Sequence, residues 1–132
     1  MRQSDDAYKI LHPRQVPFIS YSYDWSFGQL KAAALAIQKQ AFDFGMTLKD
    51  ANVFNIQFIN GRPVLIDTLS VEKYREGQMW YGYGQFCRHF LALLALMHYR
   101  DVRLNQLVRV IIDGIDLDLA YRLLPWRSCF RY

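Results

Sequence analysis

Three oxygen-bearing side chains, Asp50, Asn55 and Asp67, lie within one short stretch of the sequence. Carboxylate and amide oxygens are the ligands that Mg²⁺ prefers, and Mg²⁺ in turn neutralises the charge of a phosphate group. Two such oxygens, with a further carboxylate upstream, are what a Mg²⁺–phosphate site needs. The chemistry that these residue types favour is therefore recognition or transfer of a phosphoryl group.

A β-hairpin is predicted to bring two of these residues together. Asn60-Gly61 is typical of a two-residue turn, and it is flanked by apolar-rich runs near Phe54–Ile59 and Arg62–Ile66. The hairpin therefore spans residues 54–67 and carries Asn55 and Asp67 at its open end. In a strict two-residue hairpin Phe54 pairs with Asp67, so Asn55 and Asp67 would point to opposite faces. Their convergence requires twisted or frayed pairing at that end.

Helices are predicted on both sides of this hairpin. The first begins near Asp24 or Ser26 and carries an apolar stripe that ends at Phe44, before Gly45. The stripe consists of Phe27, Leu30, Ala34, Ile37, Ala41 and Phe44. The second helix, Trp80–Tyr99, is apolar over much of its circumference and should be buried.

Two further helices complete the prediction: Asp101–Ile112, and Leu117–Leu124 with Asp116 as its cap and Pro125 as its stop. Loops are expected over Thr47–Asn52 and Thr68–Met79, the second with a turn of helix near Val71–Tyr74. The predicted fold class is α+β and mostly helical, with about four helices around one β-hairpin. We expect a single domain over 1–132, in which 1–24 form an irregular strap and 25–132 form the helical core with hairpin 54–67.

Composition limits the possible function. Apolar residues make up 52% of the 132 residues, and this surplus suggests a surface that meets a protein partner or an adjacent domain. The net charge of +4 is scattered along helical patterns, which argues against a nucleic-acid partner. Phe90–Met97 is the longest apolar run and is too short to cross a membrane, while Cys87 and Cys129 show no zinc-binding spacing. We therefore expect a cytoplasmic location.

The spacing of Asp50, Asn55 and Asp67 resembles the catalytic core of protein-kinase-like phosphotransferases. A long helix precedes the loop and a buried helix follows it, so the fold is expected to be similar to part of a kinase-like C-lobe. The resemblance implies that Asp50 is the catalytic base and that Asn55 and Asp67 are ligands of Mg²⁺. Leu48-Lys49 stand where protein kinases carry His-Arg, and no glycine-rich phosphate loop precedes the first helix.

Structural roles remain open beside these chemical ones. Asp50 could cap backbone N–H groups of its loop, and Asn55 and Asp67 could end the hairpin with ordinary hydrogen bonds. Ser70 is interpreted more readily as a turn residue than as a support for the site. His89 on the second helix is interpreted as a hydrogen-bonded helical histidine in preference to a base.

A resemblance over most of the chain rests on six segments: Val16–Tyr21, Leu48–Ala51, Asn55–Phe58, Gly61–Ser70, Tyr83–Phe90 and Ile112–Leu119. Together they are similar to the N-terminal region of bacterial host-specific nodulation proteins, a family also described as class I SAM-dependent methyltransferases. In that family a methyltransferase domain follows this region. No Gly-x-Gly-x-Gly loop after a strand occurs here, so a SAM site is implied only for a domain outside these 132 residues.

Two functional hypotheses follow. The first is a kinase-like accessory module or fragment of a larger methyltransferase- or nodulation-type protein, with an incomplete Mg²⁺–phosphate site and no expected enzymatic activity on its own. The alternative is a non-catalytic structural or interaction domain whose apolar surplus docks a partner domain.

Overall fold

Helix α1, Phe27–Asp43, opens the computed structural model, which describes residues 26–130; the predicted strap over 1–24 therefore lies outside the described residues. The helix begins directly after Ser26, as predicted, although the Ser26 side chain makes no capping hydrogen bond. Gly45 follows the helix with φ at +67° and donates its N–H to the carbonyl of Phe42 at 3.0 Å. This left-handed residue ends the helix where a glycine is favoured.

The apolar stripe of α1 is confirmed over most of its length. Phe27, Leu30 and Ala34 are buried, and Ile37 packs against the core. Phe44 was expected in the stripe, but its side chain is 76% exposed. The helix ends at Asp43, so the chain leaves the helical path before Phe44 could follow the stripe into the core.

The predicted hairpin is present, formed by antiparallel strands β2 (Ile56–Ile59) and β3 (Arg62–Leu65). Ile59 pairs with Arg62 and Ile56 pairs with Leu65, so the turn has two residues. Asn60 and Gly61 both adopt positive φ, as this type of hairpin turn requires. The first strand is shorter than predicted, because Val53–Asn55 form a turn of 3₁₀ helix.

A second, smaller sheet lies partly in the two stretches that were predicted as loops, so both loop predictions are corrected. Strand β1, Met46–Leu48, pairs antiparallel with strand β4, Val71–Lys73, and Leu48 lies opposite Val71. The helical turn expected near Val71–Tyr74 is therefore wrong. Each strand has three residues, which is too short for an alternating pattern to be recognised.

The second predicted helix is found as a continuous helical rod over residues 83–99. It consists of α2 (Tyr83–Phe86), a π-helical segment (Cys87–Leu91) and α3 (Ala92–Tyr99). In the π-helical segment the carbonyl of Arg88 accepts a hydrogen bond from the backbone N–H of Ile115 at 3.0 Å. The helix is thereby tied to the chain that precedes the last α-helix.

The third predicted helix has a different geometry. Residues Val102–Arg109 form a 3₁₀ helix that begins after Asp101, whose side chain accepts a hydrogen bond from the backbone N–H of Arg103. The fourth helix is confirmed as α4, Leu117–Leu123, and Asp116 caps it by accepting from the N–H groups of Asp118 and Leu119.

The core lies between α1, the central rod and the 3₁₀ helix. Its largest fully buried apolar side chains are Phe27, Leu30, Leu48, Val53, Phe90, Leu93, Leu96 and Ile115. The α+β, mostly helical fold class with an antiparallel hairpin is thus confirmed, whereas the single-domain assignment over 1–132 stays a prediction. Over residues 26–130, no helix has the length and apolar character that a membrane span requires.

Close packing at Gly82 joins the start of the central rod to the end of β1. A β-carbon at Gly82 would lie 2.8 Å from the carbonyl oxygen of Leu48 and 2.9 Å from Nε1 of Trp80. These two atoms are themselves hydrogen-bonded at 2.5 Å. Glycine is therefore needed here for space, while Gly84, two residues later, has no neighbouring atom within 4 Å of such a β-carbon.

We expect Gly82→Ala to lower the free energy of unfolding by about 2 kcal/mol, because the added methyl group overpacks this contact. Gly84→Ala is the matched control and should be neutral or stabilising by up to about 1 kcal/mol, since it raises helix propensity. Urea denaturation measures both variants. Equal stability of the two variants would contradict the packing explanation.

Candidate functional site

Ser70 links two of the predicted site residues. Its side chain is buried, with 1% exposure, at the end of the 3₁₀ turn Thr68–Ser70. The hydroxyl donates to Oδ2 of Asp67 at 2.8 Å and accepts from Nδ2 of Asn55 at 2.9 Å. A hydroxyl group can fill both roles at once. Asn55 and Asp67 thus meet through Ser70, although they do not face each other in the hairpin.

The backbone of Ser70 positions the third predicted residue. Its carbonyl oxygen accepts hydrogen bonds from the N–H groups of Lys49 at 2.8 Å and Asp50 at 3.2 Å. These bonds continue the β1–β4 pairing beyond Leu48 and Val71. The loop that carries Asp50 is therefore held against the turn that follows Asp67, and all three predicted residues are hydrogen-bonded to Ser70.

The strand pairing explains how the hairpin ends meet. The last backbone bond of the hairpin joins the N–H of Ile66 to the carbonyl of Asn55 at 2.9 Å. The predicted pairing of Phe54 with Asp67 does not form, because Phe54 lies in a 3₁₀ turn. The 3₁₀ turn Thr68–Ser70 follows Asp67 directly, and its last residue, Ser70, bonds to the side chains at both ends of the hairpin.

The fit of Asn55 and Asp67 to a metal ion is limited. Both carboxylate oxygens of Asp67 already accept hydrogen bonds, Oδ1 from the N–H of Leu69 at 2.9 Å and Oδ2 from Ser70. Residues 26–130 contain no group of three or more His, Cys, Asp or Glu side chains placed to hold a metal ion. The donors present are oxygens, as Mg²⁺ requires, but two residues would leave most of its coordination to water and substrate.

Asp50 differs from the other two predicted residues, because it borders an open cleft of about 710 Å³. The cleft is lined by Lys49, Asp50, Glu72, Lys73, Arg75, Gln78 and Tyr81. Asn55 and Asp67 do not line it. Oδ1 of Asp50 is buried and has no hydrogen-bond partner among the described residues. A buried acceptor without a donor is unusual in a folded protein and marks Asp50 as a candidate functional residue.

A second buried polar network holds the strand that leads to Asp50. Gln38 on α1 is buried; its Oε1 accepts from the N–H of Leu48 at 2.7 Å, and its Nε2 donates to the hydroxyl of Thr47 at 3.1 Å. Trp80 donates its indole N–H to the carbonyl of Leu48. The segment just before Lys49 and Asp50 is thus fixed from both sides.

His89 lies in the π-helical segment and is a buried neighbour of this site. Burial, and to a smaller extent the positive charge of Arg88, lower the pKa of His89 to about 4. The negative charges of Asp50 and Asp113 act in the opposite direction. His89 is therefore a neutral imidazole near Asp50 at physiological pH. No sequence spacing relates the two residues, because their proximity comes from the tertiary fold.

Taken together, the described residues form a mostly helical α+β domain with an aspartate-containing loop beside a small sheet. This chain is similar to the nodulation protein NoeA of Rhizobium meliloti (strain 1021), with 41% identity over 117 residues. The match covers 86% of this chain and 25% of that protein, so the chain spans about a quarter of the length of this relative. The similarity supports a relationship to nodulation proteins.

No family model matches the chain, and no solved structure matches it.

We expect Ser70→Ala to lower the free energy of unfolding by roughly 1–2 kcal/mol, because it removes the hydroxyl that links Asn55 and Asp67. Thr68→Ala in the same turn is the control; Thr68 is exposed, and its loss should cost less than about 0.5 kcal/mol. Urea denaturation measures the difference. If both variants are equally stable, the hydroxyl does not support this arrangement.

The lowered pKa of His89 makes stability depend on pH. The unfolded chain protonates His89 near pH 6.5, whereas the folded chain resists protonation until about pH 4. The unfolded state therefore binds more protons in this window, and stability falls as the pH drops from 6.5 to 4. The His89 contribution to this loss is on the order of 3 kcal/mol.

His89→Gln should flatten the dependence of unfolding free energy on pH between 6.5 and 4. His98→Gln is the control, because it removes a histidine that is exposed on the same rod. Denaturation curves at several pH values provide the comparison. A slope that is the same in wild type and His89→Gln would contradict the assignment.

Proposed function

We propose that this domain is a kinase-like accessory module of a larger nodulation-type protein, with an incomplete Mg²⁺–phosphate site. The observation that carries the proposal is the convergence of Asp50, Asn55 and Asp67 on Ser70. Three residues whose spacing resembles a phosphotransferase core are thus brought to one end of the hairpin. The order of helix, aspartate loop, hairpin and buried helix is consistent with part of a kinase-like C-lobe.

In this proposal the three residues have different roles. Asp50 borders the cleft and would orient an acceptor hydroxyl group and accept its proton. Asn55 and Asp67 would supply two oxygens to Mg²⁺, which would neutralise the charge of a bound phosphate group. Because Asp67 already accepts two hydrogen bonds, we infer weak metal binding and no independent phosphoryl transfer by this domain.

The larger protein is also part of the proposal. About three quarters of the NoeA sequence lies outside the region that matches this chain. From the family resemblance we infer that a SAM-dependent methyltransferase domain would lie in that remainder and would carry the methyl-transfer chemistry. The present domain would then act beside it as an accessory module.

Titration with Mg²⁺ or Mn²⁺ in the presence of ATP tests the metal site. We expect NMR chemical-shift changes and Mn²⁺-induced line broadening centred on Asn55, Asp67 and Ser70. Asp67→Asn should abolish these changes, since it removes the negative charge that attracts the cation. Glu76→Gln is a control for general charge loss, because Glu76 is exposed and does not line the cleft. No response in the wild-type protein, or an undiminished response in Asp67→Asn, would refute the metal site.

A second candidate function is docking of a partner domain, and the outer surface of α4 favours it. Leu117 and Tyr121, one helical turn apart on the same side of α4, are 47% and 73% exposed, while Ala120 of the same helix is buried. We propose that an adjacent domain of the larger protein covers this apolar face, because exposed apolar patches mark contact surfaces. This candidate requires no metal, so a negative Mg²⁺ titration would favour it over the first.

A further inference from the structure

The cleft beside Asp50 presents unpaired charges of both signs. Lys49, Lys73 and Arg75 line it together with the carboxylates of Asp50 and Glu72. Among residues 26–130, the ion pair is between the side chains of Arg103 and Asp101. Neither residue lines the cleft. The three cations therefore make no ion pair with the two carboxylates, although all five line one space. Their charges are available to a ligand.

The three cations are positioned by the β1–β4 sheet. Lys49 directly follows β1 and is anchored by the hydrogen bond of its N–H to Ser70. Lys73 is the last residue of β4, and Arg75 lies just beyond it. The N–H of Tyr74, between them, donates to the carbonyl of Gly45 at 2.9 Å. The backbone around each cation is thus fixed, which favours recognition of a compact anion such as phosphate.

The other residues that line the cleft are suited to binding a ring that carries hydroxyl groups. Asp50 contributes a carboxylate to the lining of the cleft, and Glu72 and Gln78 add further acceptors. Tyr81 is 76% exposed and offers an aromatic face at the edge of the cleft. Vicinal hydroxyl groups donate to carboxylate and amide oxygens, and a flat or apolar ring face packs on an aromatic side chain. The volume of about 710 Å³ is that of a small-molecule site.

We propose that this cleft binds a phosphate ester of a hydroxylated ring, such as a sugar phosphate or a nucleotide. Lys49, Lys73 and Arg75 hold the phosphate group. Asp50 and Glu72 accept hydrogen bonds from ring hydroxyl groups, and Tyr81 packs against the ring. The site needs no metal ion and does not include Asn55 or Asp67, so it goes beyond the Mg²⁺–phosphate proposal.

Isothermal titration calorimetry in EDTA, at constant ionic strength, tests this site. The probes are glucose 6-phosphate, AMP, inorganic phosphate, glucose and adenosine. We expect at least one ester to bind with a Kd about tenfold or more below that of inorganic phosphate, and the two unphosphorylated rings not to bind. The tighter of glucose 6-phosphate and AMP identifies the ring. Lys73→Ala and Arg75→Ala should each raise the Kd of that ester about tenfold, since each removes a charge-assisted hydrogen bond.

Matched controls separate a built site from general attraction of anions. Lys39→Ala removes an exposed lysine of α1 outside the cleft, and Tyr121→Ala removes an exposed tyrosine of α4; neither should change the Kd. Tyr81→Ala should raise the Kd of the ester and leave the Kd of inorganic phosphate unchanged. Equal binding of inorganic phosphate and both esters, an equal effect of Lys39→Ala and Lys73→Ala, or an unchanged Kd in Tyr81→Ala would each overturn the proposal.

The experiments can refute the metal-site proposal and the cleft proposal independently of each other. Ester binding in EDTA without any Mg²⁺ response would support this cleft and refute the metal site. A Mg²⁺ response at Asn55 and Asp67 without ester binding in EDTA would refute the cleft and support the metal site.

Discussion

The buried backbone and hydroxyl group of Ser70 connect the parts of this domain that carry the candidate site. The hydroxyl joins the two ends of the hairpin through Asn55 and Asp67, and the carbonyl joins the small β1–β4 sheet to the Asp50 loop. Each of these groups would need another partner if Ser70 moved, because buried polar groups without hydrogen bonds are costly. The geometry of the candidate site therefore depends on one short turn, Thr68–Ser70.

Local sequence patterns were sufficient to predict the helices and strands that are stabilised by interactions within a short stretch of chain. Helix α1 has an apolar stripe and a glycine at its end, the hairpin has Asn60-Gly61, and α4 has Asp116 as a cap. The β1–β4 sheet has no such pattern. Its strands have three residues each, and their pairing is decided by contacts between distant parts of the chain, such as the bonds of Gln38 to Thr47 and Leu48. Patterns within a short window do not contain that information.

The same distinction applies to the candidate site. The spacing of Asp50, Asn55 and Asp67 predicted their meeting at the open end of the hairpin, and alternation along the strands correctly raised the question of opposite faces. In the structure Asn55 and Asp67 meet through the hydroxyl group of Ser70, which was predicted only as a turn residue. The cleft cations and the proximity of His89 to Asp50 could not be predicted, because they depend on how β4 and the central rod pack beside the loop.

The π-helical segment Cys87–Leu91 constrains how this chain can change length during evolution. A π-helical turn accommodates an extra residue within an α-helix, and each residue of an α-helix turns the chain by about 100°. Deleting one residue from this segment would remove the widened turn and leave a regular α-helix, so that the direction in which Leu93 and Leu96 point is largely kept. The segment is therefore the place in the central rod where the chain can lose one residue without moving these two side chains out of the core.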